Sequence, residues 1–120
     1  MKPTGRALLA FVVFVLAMSA GSQWWAGRRD GALGAEVARL ARPGDIRMIA
    51  SDSCVICLRA RHWFDDNRIA FSECSVERDA QCRADFEALS APGTPVILVR
   101  GRPQLGFDPQ RLRAALDRPA

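Results

Sequence analysis

Two cysteines, Cys54 and Cys57, stand shortly after an apolar stretch, with only Val55 and Ile56 between them. No other feature limits the fold of this chain as tightly. The stretch before them, DIRMIA from Asp45 to Ala50, reads as a strand, and Ser51-Asp52-Ser53 turns the chain and offers N-cap side chains. From Cys54 to Asp66 the pattern is helical: Ile56, Ala60, Trp63 and Phe64 share one face, and Arg59 and Arg61 point away. Asn67 stops the helix, and a second strand, Arg68 to Val76, follows at once. Strand, helix and strand in this order predict a parallel pair joined by a right-handed crossover. A dithiol at the first strand-to-helix turn of such a unit is the arrangement of a redox-active pair.

The remaining elements follow from local signals. Glu77 to Ala91 reads as a helix with Cys82, Phe86 and Leu89 roughly aligned, and Pro92-Gly93-Thr94-Pro95 breaks it. Val96 to Val99 (VILV) is apolar on both faces, as a buried strand requires. Arg100-Gly101 turns the chain into a short strand from Arg102 to Gly106. Asp108 as N-cap and Pro109 at the first helical position open a last helix striped with Leu112, Ala115 and Leu116. The order β-α-β-α-β-β-α over residues 45–118 predicts one α/β domain in three layers.

Residues 1–25 carry a different signal. Lys2 and Arg6 precede an apolar run from Ala7 to Ala20, a charged segment followed by a hydrophobic core. Extended through Trp24 and Trp25, the run reaches about the 20 residues a spanning helix needs, with Arg28 and Arg29 placed for the headgroup region. Two readings follow: an uncleaved membrane anchor over residues 7–25, or a signal peptide cut near Ser19, Ala20 and Gly21. Either puts the rest of the chain outside the cytoplasm: on a bacterial inner membrane facing the periplasm, or free in the periplasm. Residues 26–44, punctuated by Gly27, Gly31, Gly34 and Pro43-Gly44, read as a linker. Leu33, Val37 and Leu40 within it have the spacing of a short amphipathic helix with one face on the domain.

The net charge of +4 does not point to nucleic acid. Residues 1–44 hold six basic and two acidic side chains, and residues 45–120 hold eleven of each, so the domain is neutral and no basic patch is implied.

Three stretches together give the domain its resemblance. CVICLRARHWF, GTPVILV and GRPQLGFDP occur in the order and spacing of a glutaredoxin-type member of the thioredoxin superfamily. The resemblance spans residues 46–116 and implies a thioredoxin-like fold with Pro95 in the cis form beside the dithiol. It also implies thiol–disulfide exchange with protein thiols and disulfides, with Thr94, Pro95, Val55, Ile56, Gly106, Phe107 and Asp108 around the substrate. The chain departs from the family pattern at several positions. Val-Ile replaces the usual Pro-Tyr between the cysteines, Leu105 replaces the first glycine of a Gly-Gly pair, and Pro109 replaces a second aspartate. In the family this last region helps hold glutathione, and a proline donates no backbone hydrogen bond. No cofactor is therefore expected to be required, and the departures weigh against glutathione.

The dithiol's expected chemistry rests on its place on the helix. Cys54, at the helix start, faces unsatisfied N–H groups that favour the thiolate, the attacking species in exchange. Cys57, one turn on and facing inward, resolves the mixed disulfide. A cis Pro95 leaves backbone groups near Thr94 free to pair with an extended substrate strand. His62, two turns down the helix from Cys54, reads as a surface residue. Cys74 and Cys82 allow three readings: a disulfide stapling the strand–helix corner, two buried thiols, or a second redox relay. A zinc site of four cysteines fits poorly, because structural zinc uses two closely spaced ligand pairs. The rival function from another class is a non-catalytic copper or iron–sulfur carrier using the same dithiol. The domain is expected to be monomeric.

Overall fold

A computed structural model describes residues 4–119, which divide into one unit up to Ala32 and another beginning at Leu33. The elements are α1 (Gly5–Leu40), β1 (Ile46–Ala50), α2 (Val55–Asp66), β2 (Ser72–Ser75), α3 (Ala80–Ala88), β3 (Val96–Val99), β4 (Arg102–Leu105) and α4 (Pro109–Asp117).

In the first unit α1 is apolar on every side from Ala7 to Met18. Leu8, Leu9, Phe11 to Leu16, Met18, Trp24 and Trp25 are all exposed. At about 1.5 Å per residue, Ala7 to Trp25 measures about 28 Å, close to the ~30 Å thickness of bilayer hydrocarbon. The helix is long and apolar enough to cross a membrane. Arg28 stacks its guanidinium 3.9 Å from the Trp24 ring centre, and Arg29 lies 4.7 Å from that of Trp25.

Within the expected linker over residues 26–44, the chain stays helical and continuous with α1 as far as Leu40. An internal glycine costs a helix about 1 kcal/mol relative to alanine, which weakens it without ending it, and no proline intervenes before Pro43. The amphipathic stripe is real: Val37 is fully buried and Leu33 and Leu40 pack on the same core.

In the second unit four strands form one sheet in the order β2-β1-β3-β4. β1 runs parallel to β2, as the crossover through α2 requires, and β3 pairs antiparallel with both β1 and β4. Alternation along β1 sorts the two faces. Ile46, Met48 and Ala50 join Cys57, Ala60 and Phe64 of α2, Leu112 and Leu116 of α4, and Val37 in the larger core. Ile49 points to the other face, where it meets Cys82 and Val96, with Phe86 and Leu89 of α3 alongside. The result is three layers, with α3 on one face and α2, α4 and the end of α1 on the other. Arg100 and Gly101 both have positive φ (48° and 80°), the conformation of a two-residue hairpin turn between β3 and β4. Pro103 lies on the edge strand, where a missing N–H costs no ladder bond.

Three element boundaries differ from the sequence expectation. The buried face of α2 is Cys57, Ala60 and Phe64, and Ile56 is exposed. α2 begins at Val55, with Cys54 as its N-cap. β2 is confined to Ser72–Ser75, because Arg68 takes a positive φ of 54° and Ile69 donates back to the Phe64 carbonyl, so the chain is still rounding the end of α2. α3 begins at Ala80, after Asp79 caps it through the Gln81 and Cys82 amides.

Candidate active site

Cys54 is itself the N-cap of α2, the role the sequence assigned to the preceding serines and aspartate. Its φ and ψ of −89° and 106° are extended, and the Cys57 amide donates to its Sγ at 3.0 Å. Sulfur thus occupies the place a serine or aspartate oxygen takes in an ordinary cap, satisfying one of the free N–H groups at the helix start. Cys54 is half-buried and Cys57 fully buried. The two are joined as a disulfide with their Cα atoms 5.2 Å apart. One sulfur is therefore reachable from outside, and its mate lies behind it in the core.

Around the pair the first turn of α2 presents apolar side chains to solvent: Val55, Ile56 and Leu58 are exposed, Val55 by 70%. On the β2 side a cavity of about 320 Å³ opens next to Cys54, walled by the Ser51–Ser53 turn, Leu58, Arg61, Glu73, Ser75 and Arg78. Its polar groups are paired. Arg61 and Glu73 form a two-pronged ion pair, and this hydrogen bond pushes the guanidinium pKa further up. Arg78 lies 3.0 Å from Asp52. The Ser75 hydroxyl lies 3.0 Å from the Asp52 carboxylate and 2.9 Å from that of Glu77.

On the opposite side the Thr94-Pro95 peptide bond is cis and Pro95 is buried. The Thr94 hydroxyl is 2.9 Å from that of Ser51, joining the turn before the dithiol to the proline loop. Sequence reading missed Ser51. The two residues are 43 positions apart, and nothing local announces that they meet. Gly106, at φ 75°, donates its amide to the Pro95 carbonyl at 2.9 Å, bringing the end of β4 to the same place. Phe107 turns toward the core, with its ring centre 5.5 Å from that of Trp63 and 5.8 Å from that of Phe64. Asp108 caps α4: one carboxylate oxygen accepts from the Gln110 and Arg111 amides, the other from Arg111 Nε. His62 is exposed.

The second cysteine pair sits on the other face of the sheet. Cys74 and Cys82 are bonded, with Cα atoms 6.0 Å apart, tying edge strand β2 to the first turn of α3. Arg47 of β1 donates to the Cys74 Sγ at 3.4 Å and to the Asp85 carboxylate at 2.8 Å. Gln81 first, and then Arg47, hold the Asp85 carboxyl below its ordinary value. Among the described residues no group of three or more histidine, cysteine, aspartate or glutamate side chains converges in a way that could hold a metal ion.

The glutaredoxin family model matches residues 46–103, from the start of β1 into β4. Over these residues the chain is similar to glutaredoxins, and its fold is thioredoxin-like. Solved structures agree on the fold of the glutaredoxin-like domain. A variant of the thioredoxin-like protein BC3987 superposes with a TM-score of 0.55 at 24% identity, covering 62% of this chain and 96% of that one. Unmodified BC3987 gives 0.52 at 22%, covering 58% and 97%. A glutaredoxin from Archaeoglobus fulgidus gives 0.50 at 14%, covering 61% and 86%. No curated protein sequence is matched. A glutaredoxin-like domain with a Cys54–Cys57 pair at the start of α2 points to thiol redox chemistry, at the general level of thiol–disulfide exchange.

Proposed function

We propose that this chain is a thiol–disulfide oxidoreductase, held at a membrane by α1 or exported, that acts on protein thiols and disulfides outside the cytoplasm. The observation that carries the reading is the asymmetry of the dithiol: a half-buried Cys54 at the helix cap, joined to a fully buried Cys57.

In the reducing direction the Cys54 thiolate attacks one sulfur of a substrate disulfide. A Cys54–substrate bond forms and the other substrate sulfur leaves as a thiolate, which takes a proton. Cys57, deprotonated in turn, attacks the Cys54 sulfur and expels the second substrate thiolate. Two electrons have then passed to the substrate, and the chain holds the Cys54–Cys57 disulfide. Oxidation of a substrate dithiol is the same sequence reversed.

The Cys57 amide bonded to the Cys54 sulfur supports Cys54 as the attacking group, because that donor remains to stabilise a thiolate. Exposed Val55, Ile56 and Leu58 supply an apolar rim suited to a protein substrate. Thr94 and Pro95 orient the substrate chain, supported by the Ser51 and Gly106 bonds that hold their loop against the dithiol turn. The apolar length of α1 and its Trp24–Arg28 and Trp25–Arg29 stacks support an anchor whose end lies at a headgroup layer.

The test is a Cys57→Ala chain in its native membrane fraction. Mixed disulfides joined through Cys54 to other proteins are expected to accumulate and to vanish with Cys54→Ser. A folded Cys57→Ala protein that captures no partner through Cys54 would end the proposal.

A further inference from the structure

We infer that Cys74–Cys82 is a second exchange-competent disulfide, opened in the folded protein by a dithiol reductant that attacks at Cys74. Four observations converge on it. The two sulfurs differ as Cys54 and Cys57 do: Cys74 is half-buried, and Cys82 is fully buried under α3. Cys74 lines an open groove of about 470 Å³ with Arg61, Glu73, Ser75, Arg78 and Asp79. That groove adjoins the cavity beside Cys54 and shares Arg61, Glu73, Ser75 and Arg78 with it, so a partner seated along the β2 edge meets both pairs. Finally, a cation is already in place, since Arg47 donates to the Cys74 sulfur. A disulfide serving only as a staple needs neither an opening nor a cation at its sulfur.

The groups facing Cys74 set its chemistry. Arg47 comes from β1 and is shared with Asp85 of α3. Arg61, Glu73, Arg78 and Asp79 stand around the groove, with Arg61 paired to Glu73 and Arg78 to Asp52. Arg47 stabilises the Cys74 thiolate once formed. In the reaction a reductant thiolate bonds to Cys74 Sγ and the Cys74–Cys82 bond breaks. Cys82 leaves as a thiolate at the N-terminal turn of α3 and takes a proton. The reductant's second thiol then attacks its own sulfur in the mixed disulfide, closes the reductant's disulfide and releases Cys74 as a thiolate beside Arg47. Two electrons move from the dithiol to the Cys74–Cys82 pair.

The test isolates this pair from the first by using the full chain with Cys54→Ser and Cys57→Ser, so its outcome is independent of the reading proposed for Cys54. Dithiothreitol is added at neutral pH without denaturant, and free thiols are followed by alkylation and mass spectrometry. The rate of opening is compared with the rate of global unfolding measured in parallel. Opening at least about tenfold faster than unfolding is expected, against the slow unfolding typical of small domains. Incubation with glutathione disulfide after partial reduction should place the first adduct on Cys74. Arg47→Gln should slow opening several-fold, with Arg47→Lys recovering part of the rate. Reduction that keeps pace with unfolding, or first adducts on Cys82, would overturn the inference. If Arg47→Gln unfolds the chain, the comparison of rates with Arg47 intact still decides.

Discussion

The hydroxyl pair Ser51–Thr94 joins the two loops that build the site, and its removal has a defined signature. The oxygens are 2.9 Å apart and part-buried, so either single truncation leaves one hydroxyl facing an empty partner position. A protein hydrogen bond contributes about 0.5–1.5 kcal/mol net, and an unsatisfied buried partner costs about 1–3 kcal/mol. Partial exposure lets water reach the orphaned group, which puts each single change near the low end, about 1 kcal/mol. Ser51→Ala and Thr94→Val are the appropriate changes, the second keeping the shape of the side chain. The double variant should be no worse than the poorer single one, because the second truncation removes the orphan left by the first. The coupling energy in a double-mutant cycle is then about 0.5–1.5 kcal/mol. Urea unfolding of the oxidised protein gives the four stabilities, and the rate of disulfide exchange on a peptide substrate gives the functional counterpart. If this bond positions the proline loop against the dithiol, both singles should slow exchange, with the same non-additivity. Strict additivity of the stabilities would mean that the two hydroxyls do not bond in solution. Unchanged exchange rates would mean that the bond has no part in placing substrate.

Two further outcomes follow from the packing and the charges. Gly34→Ala should lower stability by about 1–3 kcal/mol, as overpacking does, because a Cβ there would run into the Asn67 side chain, which is itself held to the Trp63 carbonyl; thermal melting should show the loss, and Asn67→Ala in the same chain should restore most of it. Asp45 accepts from the Arg42 amide and is paired with Arg100, and together these hold its carboxyl below its ordinary value of 3.8. The sign is that of a depressed carboxyl: the stabilisation is complete above 3.8 and is lost as pH falls through the lower folded value. Native chain and Asp45→Asn should therefore differ in denaturant midpoint at neutral pH, and the gap should narrow as pH falls below 3.8; a gap that stays constant on acidification would refute the assignment.

Some elements were legible because their signals are local. Asp108-Pro109 announces a helix start wherever it occurs, and the structure puts the cap there, with Pro109 first in α4. VILV is apolar throughout and mostly β-branched, and it forms β3 residue for residue. β2 was overread because Ile69, Ala70 and Phe71 are as apolar as a strand. They serve to close the end of α2, and the ladder reaches only as far as Arg47–Ala50 of β1 offers partners. At the site the dithiol and its proline were visible as motifs, whereas Ser51 and Arg47 were not. The function of each depends on a side chain that arrives from elsewhere in the chain.

The amino-acid order alone settled the identity of the elements, the spacing of Cys54 and Cys57 on one helical turn, and the apolar length of α1, since each depends on neighbours within a few residues. Packing decided which sulfur is buried, which guanidinium meets Cys74, and which hydroxyl holds Thr94. The last two contacts join segments 27 and 43 positions apart, and their geometry comes into being only when the sheet and its helices close on one another.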